Sequence, residues 1–246
     1  MSFTRKQVVI QTFSTTATAT ATFSSTCTAG NLIVVMGYGN NNSTGVTMST
    51  GSGFNNSNTG FGAATIKPST GSVNVFWKIS AGTEKTLAIT CAGSTNTIIN
   101  TYEFSFSGSA ISNKALTSGN GWATGTSSTP SAGTWTDGYF DSMLLVAGVG
   151  YPGTITSMSS NAQTGWTTTV YSGTNANLWS YFMTTNTPNM AGTTVLANGA
   201  NLGAIKTWGI GAYVFYETFS GQSSSLNMSY QIVGTSNYSN LPTLGV

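Results

Sequence analysis

The stretch that decides the fold is Gly30-Asn-Leu-Ile-Val-Val-Met-Gly-Tyr-Gly39, an apolar run of strand length at a Thr-Ala-Gly-Asn turn. A similar stretch recurs as Asp141-Ser-Met-Leu-Leu-Val-Ala-Gly-Val-Gly150, at an offset of 111 positions and after a Thr-Asp-Gly turn. Short apolar runs bounded by turn residues are typical of buried strands. We therefore predict that the chain contains two related halves, each with one such strand.

Strand patterns fill both halves, whereas windows with helical spacing are nearly absent. Alternation is clearest in Thr101–Ser107, where Tyr102, Phe104 and Phe106 share one face and Glu103 and Ser105 the other. The predicted strands are Gln7–Phe13, Ala17–Phe23, Leu32–Tyr38, Val73–Ile79, Thr86–Cys91, Thr97–Phe106, Met143–Val149, Thr167–Tyr171, Leu178–Met183, Thr193–Leu196 and Trp208–Tyr216. Short strands with turns between them predict an all-β fold, an antiparallel β-sandwich or a jelly-roll-like arrangement.

The two halves are predicted to form one domain over residues 1–217. They cover about residues 7–106 and 136–217, and each ends in a Tyr-Glu dipeptide, at Tyr102 and Tyr216, with an offset of 114. The connector over residues 107–135 is expected to be irregular and to pack Trp122 and Trp135 onto a common core; two separate domains are the alternative. Residues 218–246 are rich in Ser and Asn and are predicted to be a tail that serves assembly.

Charged residues are scarce in this chain. It has seven Lys and Arg, five Asp and Glu and no His, so 5% is charged, where an ordinary domain has about 25%. General acid–base catalysis usually needs His or paired carboxylates, so we predict that the protein is not an enzyme. Scattered basic residues argue against nucleic acid as a partner, and the lack of His and of a Cys-x-x-Cys motif argues against a metal or another cofactor.

The acidic residues are interpreted as structural. Asp137 and Asp141 are the close pair in sequence and could bind calcium, but an Asp-Gly turn beside a solvated acid is the favoured interpretation. Glu103 and Glu217 occupy matching places in the two halves, and we expect them to pair with lysines such as Lys78 or Lys206.

The two cysteines, Cys27 and Cys91, are predicted to be buried reduced thiols, with a disulfide as the alternative. The first residues are not followed by the apolar region of a secretory leader, and no apolar run approaches the length of a membrane span. We therefore expect synthesis in the cytoplasm and no membrane insertion.

Five aromatic residues lie in or beside segments that look like loops. They are Trp122, Trp135, Trp166, Tyr151 and Tyr171. Such rings either close the ends of the sandwich or cover sugar faces while neighbouring amides bond hydroxyls. The Asn- and Gly-rich stretch 39–62 is the predicted exposed tip.

The order of motifs resembles the β-sandwich, jelly-roll-like domains of virion structural proteins in tailed bacteriophages. The motifs are Thr28–Met36, Phe76–Lys85, Tyr102–Ser105, Ser127–Ser131 and Gly165–Thr167, with the Thr-Asp-Gly turn before the second apolar strand. The resemblance implies a component of the virion exterior, such as a capsid decoration protein, a head fibre or a tail fibre. It also implies a major capsid or tail protein as partner, and it supplies no catalytic residues.

Few Lys and five Pro are available to guard strand edges, so we expect neighbouring subunits to cover those edges in a homo-oligomer, a trimer. The first hypothesis for function is a non-enzymatic decoration protein or short appendage of a phage. The second is a receptor-binding or glycan-binding tail fibre module. Head or tail location, copy number and the anchoring terminus stay open.

Overall fold

The computed structural model describes residues 3–40, 45–49, 53–56, 71–107, 110–114, 122–131, 134–136, 143–152, 159–160, 167–172, 176–185, 194–196, 200–201 and 205–218. All secondary-structure elements in these ranges are β-strands, which confirms the predicted all-β sandwich class. The strands are β1 (Thr4–Ser14), β2 (Thr18–Thr22), β3 (Leu32–Asn40), β4 (Val46–Met48), β5 (Asn55–Asn56), β6 (Gly71–Ile79), β7 (Thr86–Cys91), β8 (Thr97–Ser105), β9 (Ala110–Lys114), β10 (Trp122–Ser127), β11 (Thr134–Thr136), β12 (Met143–Pro152), β13 (Ser159–Ser160), β14 (Thr167–Ser172), β15 (Ala176–Thr185), β16 (Thr194–Leu196), β17 (Ala200–Asn201) and β18 (Lys206–Thr218). The same ranges contain no apolar helix of the length needed to cross a membrane.

Three antiparallel sheets form the body of the molecule. Sheet A has the strand order β1-β8-β3-β6-β5, and sheet B has the order β2-β7-β4. Sheet C has the order β10-β18-β12-β15-β14, with β9 also paired to β18. Two further pairs, β11 with β16 and β13 with β17, complete the described strands.

Sheet A is the middle layer and is buried on both faces. Alternate residues of β3, such as Leu32 and Val34, belong to a core shared with Leu144 and Phe215 of sheet C. The intervening residues, such as Ile33, belong to a second core shared with sheet B. This explains why β3 is apolar at nearly every position and does not alternate, since each buried Val, Leu or Ile contributes about 1.5–3 kcal/mol on either face.

The Gly-x-Gly pair of each apolar repeat serves the same purpose in both halves. A Cβ on Gly39 would overlap Cys91 of sheet B, and a Cβ on Gly150 would overlap the Tyr38 ring of sheet A. Glycine in a strand often marks a place where another element approaches closely. The glycine pair of β3 therefore lets sheet B pack closely on sheet A, and the glycine pair of β12 lets sheet C pack closely on sheet A.

The two large sheets also share their topology. The apolar repeats form β3 and β12; β3 is the middle strand of the five in sheet A, and β12 is the middle strand of the five-strand order of sheet C, to which β9 is added. The Tyr-Glu dipeptides, however, are displaced by two residues, because Tyr102 lies opposite Val34 whereas Tyr216 lies opposite Met143, the counterpart of Leu32. The domain limits of 1–217 and the tail 218–246 stay predictions.

The expectation of an irregular connector over 107–135 is wrong. This stretch contains β9 and β10, which pair with successive parts of β18, and β11. β10 contains Thr, Gly and Ser and β11 is Thr-Trp-Thr, compositions that resemble the loops of this chain. Cross-strand pairing, with β18 for β9 and β10 and with β16 for β11, decides the strand state there, and local composition does not reveal it.

A small polar contact lies between sheets A and C. Ser180 Oγ accepts a hydrogen bond from Asn100 Nδ2 at 2.6 Å and lies 2.6 Å from the Tyr102 hydroxyl. All three residues are buried. Because buried polar groups must find partners, this contact fixes how the two sheets are placed over each other.

Candidate functional site

Polar side chains collect at the two opposite ends of sheet A. At one end β3 begins at Leu32 and β8 finishes beyond Glu103; we call this the Glu103 end. At the other end β3 finishes at Asn40 and β8 begins at Thr97; we call this the Asn40 end. Antiparallel pairing places turns from distant parts of the chain together at each end.

Glu103 organises the first of these ends. Its carboxylate is 1% exposed and accepts hydrogen bonds from the Thr28 N–H at 2.7 Å and from Asn31 Nδ2 and Gln7 Nε2 at 2.6 Å each. All three donors are neutral. The carboxylate therefore holds the turn before β3 against β1 and β8.

Gln7 carries this network one step further. Its Oε1 accepts bonds from the Ser24 hydroxyl and the Ser25 N–H, both at 3.0 Å. Its Nε2 donates to Glu103 and, at 3.3 Å, to the Ser25 carbonyl. These partners fix which end of the amide group points to Glu103.

Lys78 pairs with Glu84, so the expectation that Lys78 pairs with Glu103 is wrong. The Lys78 ammonium lies 2.6 Å from Glu84 Oε1. Burial by itself raises the pKa of Glu84, but Lys78, the Ser80 hydroxyl and backbone N–H groups outweigh it and lower that pKa to about 2. The side chains of Glu217 and Lys206 lie outside the described part of the chain.

The thiol of Cys27 lies near both acids. Burial, then the negative charges of Glu103 and Glu84, raise the pKa of Cys27 to about 12. Cys27 and Cys91 are both buried and are not joined to each other, as predicted. Because the thiolate is the reactive form, the Cys27 site cannot supply a nucleophile near neutral pH.

The Asn40 end is held by a second neutral network. Asn40 Oδ1 accepts bonds from the Asn96 N–H at 2.8 Å, the Thr95 hydroxyl at 3.1 Å and the Ser94 hydroxyl at 3.2 Å. The stretch 39–62 leaves the sheet here. It was predicted to be one exposed loop, but it contains the last residues of β3 together with β4 and β5, and Val46 is buried. The remainder of that stretch lies outside the described residues.

The structure places four of the five candidate aromatic residues in strands and not in loops. Tyr151 lies in β12 and Tyr171 in β14, while Trp122 begins β10 and Trp135 is the centre of β11. Trp166 lies outside the described residues. The backbone brings Tyr151 and Tyr171 to the same end of sheet C, because they lie opposite Asn177 and Leu178, which are consecutive in β15.

The end of sheet C that carries these tyrosines lies over the Asn40 end of sheet A. Positions 148 and 150 of β12 face Met36 and Tyr38, so β12 and β3 run in the same direction across the interface. Trp122 lies farther from this end, opposite Gly211. Tyr151 and Tyr171 share an end of sheet C but lie on its opposite faces, because Asn177 and Leu178 alternate between the faces of β15. Trp135 lies in the separate β11–β16 pair.

The described residues offer neutral donors and acceptors at both ends. No group of three or more His, Cys, Asp or Glu in the described part of the chain could hold a metal ion. The sequence did not reveal the Glu103 network, because its donors come from positions 7, 28 and 31, far from Glu103 along the chain. No family model, curated protein or solved structure matches the chain.

Proposed function

We propose that this protein is a non-enzymatic structural component of a virion exterior, a decoration protein or short appendage of a tailed bacteriophage. The order of the sequence motifs supports the phage assignment, and the all-β sandwich agrees with it. Its partner would be a major capsid or tail protein, and the protein would act as a homo-oligomer. The order of that oligomer, expected above to be three, stays a prediction.

The observation that carries the non-enzymatic part is the use of the two acidic side chains in the described part of the chain, Glu84 and Glu103; Asp137 and Asp141 lie outside it. Glu84 accepts from Lys78 and from backbone and hydroxyl donors, and Glu103 accepts from three neutral donors. Both carboxylates hold turns at one end of the sandwich. A catalytic acid or base needs a lone pair or proton free to reach a substrate, and these two side chains are committed to the fold.

Binding to capsids tests this proposal. Purified protein would be mixed with capsids that lack it, prepared from a phage that encodes the chain, and in parallel with host-cell envelopes. Saturable binding to capsids alone is expected. Deletion of residues 218–246 is expected to weaken that binding if the tail is the anchor, and deletion of residues 1–2, which spares the buried Phe3, serves as the matched truncation. Failure to bind capsids, with binding to envelopes, would overturn the decoration role.

A second candidate function is recognition of a glycan on the host surface. It is supported by the position of Tyr151 and Tyr171 at the end of sheet C that lies over the Asn40 end. The two positions lie on opposite faces of that sheet, so each ring would stack on a sugar separately. Aromatic rings stack on sugar faces, and amide groups bond hydroxyls. A Tyr171→Ala variant would lose binding to host polysaccharide while Tyr171→Phe keeps it, because only the ring is needed for stacking. Equal binding by both variants would exclude this site.

A further inference from the structure

One edge strand of the first half lacks the protection that the other edges carry. Edge strands are usually blunted by charge, by irregular pairing or by shortness. In sheet A, β1 carries Arg5 and Lys6 and has two breaks in its register with β8, and β5 has two residues. In sheet B, β4 has three residues, whereas β2 has five, with the uncharged sequence Thr-Ala-Thr-Ala-Thr and an unbroken register with β7.

The hydrogen bonds of β2 show which backbone groups point away from β7. Cys91 N–H donates to the Ala17 carbonyl, and Phe23 N–H donates to the Lys85 carbonyl, so the odd-numbered residues of this segment face β7. The backbone groups of Thr18, Thr20 and Thr22 therefore point to the open edge. The Thr16 hydroxyl donates to the Thr18 carbonyl at 3.1 Å and accepts from the Thr18 N–H at 3.4 Å. The outward N–H and carbonyl groups of Thr20 and Thr22 have no hydrogen-bond partner within the described residues.

The side chains of β2 are complementary to a second copy of the same strand. Its threonines are exposed and its alanines are buried, in strict alternation. An antiparallel pair centred on Thr20 would place Thr20 opposite Thr20 and Thr18 opposite Thr22 of the other copy. The backbone of Thr22 would then replace the Thr16 hydroxyl as the partner of Thr18. The hydroxyl contacts that β2 already makes with β7, Thr18 to Thr90 at 3.3 Å and Thr22 to Thr86 at 3.2 Å, would then have counterparts across the new pair.

We propose that β2 is a self-association edge, at which two copies of the chain pair antiparallel about Thr20 and join their two copies of sheet B into one six-stranded sheet. The inference goes beyond the proposed function and does not depend on the virion role, because the pairing needs only the chain itself. Its two-fold symmetry gives a dimer, a contact separate from any three-fold interface of the predicted trimer. A pair of five-residue strands is short, so the dimer is expected to be weak, with a dissociation constant on the order of 10–100 µM. On a surface that holds many copies close together, such a contact would still be occupied.

Two substitutions at the centre of the pair test the proposal. Thr20→Pro removes an outward N–H that β7 does not use, so the fold is expected to tolerate it. Thr20→Lys would place two ammonium groups directly opposite each other in the dimer. Thr47→Lys is the matched control, since Thr47 is exposed on the opposite edge strand of the same sheet.

Sedimentation velocity from about 1 to 500 µM would measure association, with far-ultraviolet circular dichroism to verify folding. The wild type and Thr47→Lys are expected to form dimers as concentration rises, and Thr20→Lys and Thr20→Pro to associate at least about tenfold more weakly. A wild type that stays monomeric throughout would overturn the proposal. So would a dimer or a higher oligomer that persists unchanged in a folded Thr20→Lys variant, because its interface would lie elsewhere. Should Thr20→Pro fail to fold, Thr20→Lys decides alone.

Discussion

Removal of the Glu103 carboxylate is the perturbation that tests the structural use of charge most directly. Oε1 accepts from the Thr28 N–H and Asn31 Nδ2, and Oε2 accepts from Gln7 Nε2. Hydrogen bonds to a charged group contribute about 1.5–3 kcal/mol each. Glu103→Ala would leave these donors without their acceptor at a site that is nearly inaccessible to water. The expected loss in the free energy of unfolding is about 3–5 kcal/mol, a large part of the stability of an ordinary domain.

Glu103→Gln is a finer perturbation of the same site. The amide can keep the acceptor toward Thr28 and Asn31, but it presents an N–H₂ group to the N–H₂ group of Gln7. Gln7 cannot turn its amide over without giving up the bonds from Ser24 and Ser25. We therefore expect a loss of about 1–3 kcal/mol from one repulsive contact and one lost bond.

The exchange of the two side chains should recover part of that loss. In the double variant Gln7→Glu with Glu103→Gln, the amide at position 103 donates to a carboxylate at position 7. That carboxylate still accepts from Ser24 and Ser25. The double variant should thus be more stable than Glu103→Gln alone, and the coupling should appear as a positive interaction in a double-mutant cycle.

Urea unfolding followed by circular dichroism would measure these differences at pH 7. Ser105→Ala, on the same strand, is the control and should change stability by less than about 0.5 kcal/mol, because the Ser105 hydroxyl makes one long exposed bond of 3.4 Å. A Glu103→Gln variant as stable as the wild type would refute the reasoning, as would an exchange variant less stable than the sum of its single changes.

Three further predictions concern other contacts. The pKa of Glu84 is lowered from 4.5 to about 2, so its pairing with Lys78 stabilises the fold fully above about pH 4.5 and is lost as the pH falls toward 2. Glu84→Gln should therefore reduce the change in unfolding free energy between pH 5 and 2, and an unchanged pH dependence would contradict this. Gly150→Ala should destabilise the protein by about 1–3 kcal/mol in urea unfolding, because its Cβ would overlap the buried Tyr38 ring, and a neutral effect would mean that sheets A and C do not meet there. The Thr101 hydroxyl is buried with no hydrogen bond in the described part of the chain, so Thr101→Val should leave the melting temperature unchanged or raise it, and a clear fall would indicate an unrecognised partner.

Much of the strand structure could be predicted, because apolar and β-branched residues cluster between turn residues. The predicted segment Thr86–Cys91 coincides with β7, and Leu32–Tyr38 falls short of β3 by two residues. The segments that composition did not reveal are β4, β5, β9, β10, β11, β13 and β17, which are short or rich in Gly, Thr, Ser and Asn. Their state depends on a partner strand distant along the chain, such as β18 for β10.

The candidate site could be predicted only in its chemistry. Composition indicated that neutral hydrogen bonds would replace charged ones, and the networks around Glu103 and Asn40 agree with that in the described residues. The positions of the aromatic residues were less predictable. Tyr171 ends the predicted strand Thr167–Tyr171, whereas Tyr151 lies beyond the predicted strand Met143–Val149, and pairing with β15 extends β12 to include it.

The sequence by itself determined the all-β class and the existence of two related halves, since both follow from periodicity and from a repeated apolar motif. Tertiary structure alone decided the layer order, in which sheet A lies between sheets B and C. A residue pattern records that both faces of β3 are buried, but it does not record which sheet covers each face. It also cannot show that Glu103 bonds to Gln7 and Asn31, or that β2 is an open edge, because each depends on elements brought together only when the sheets pack.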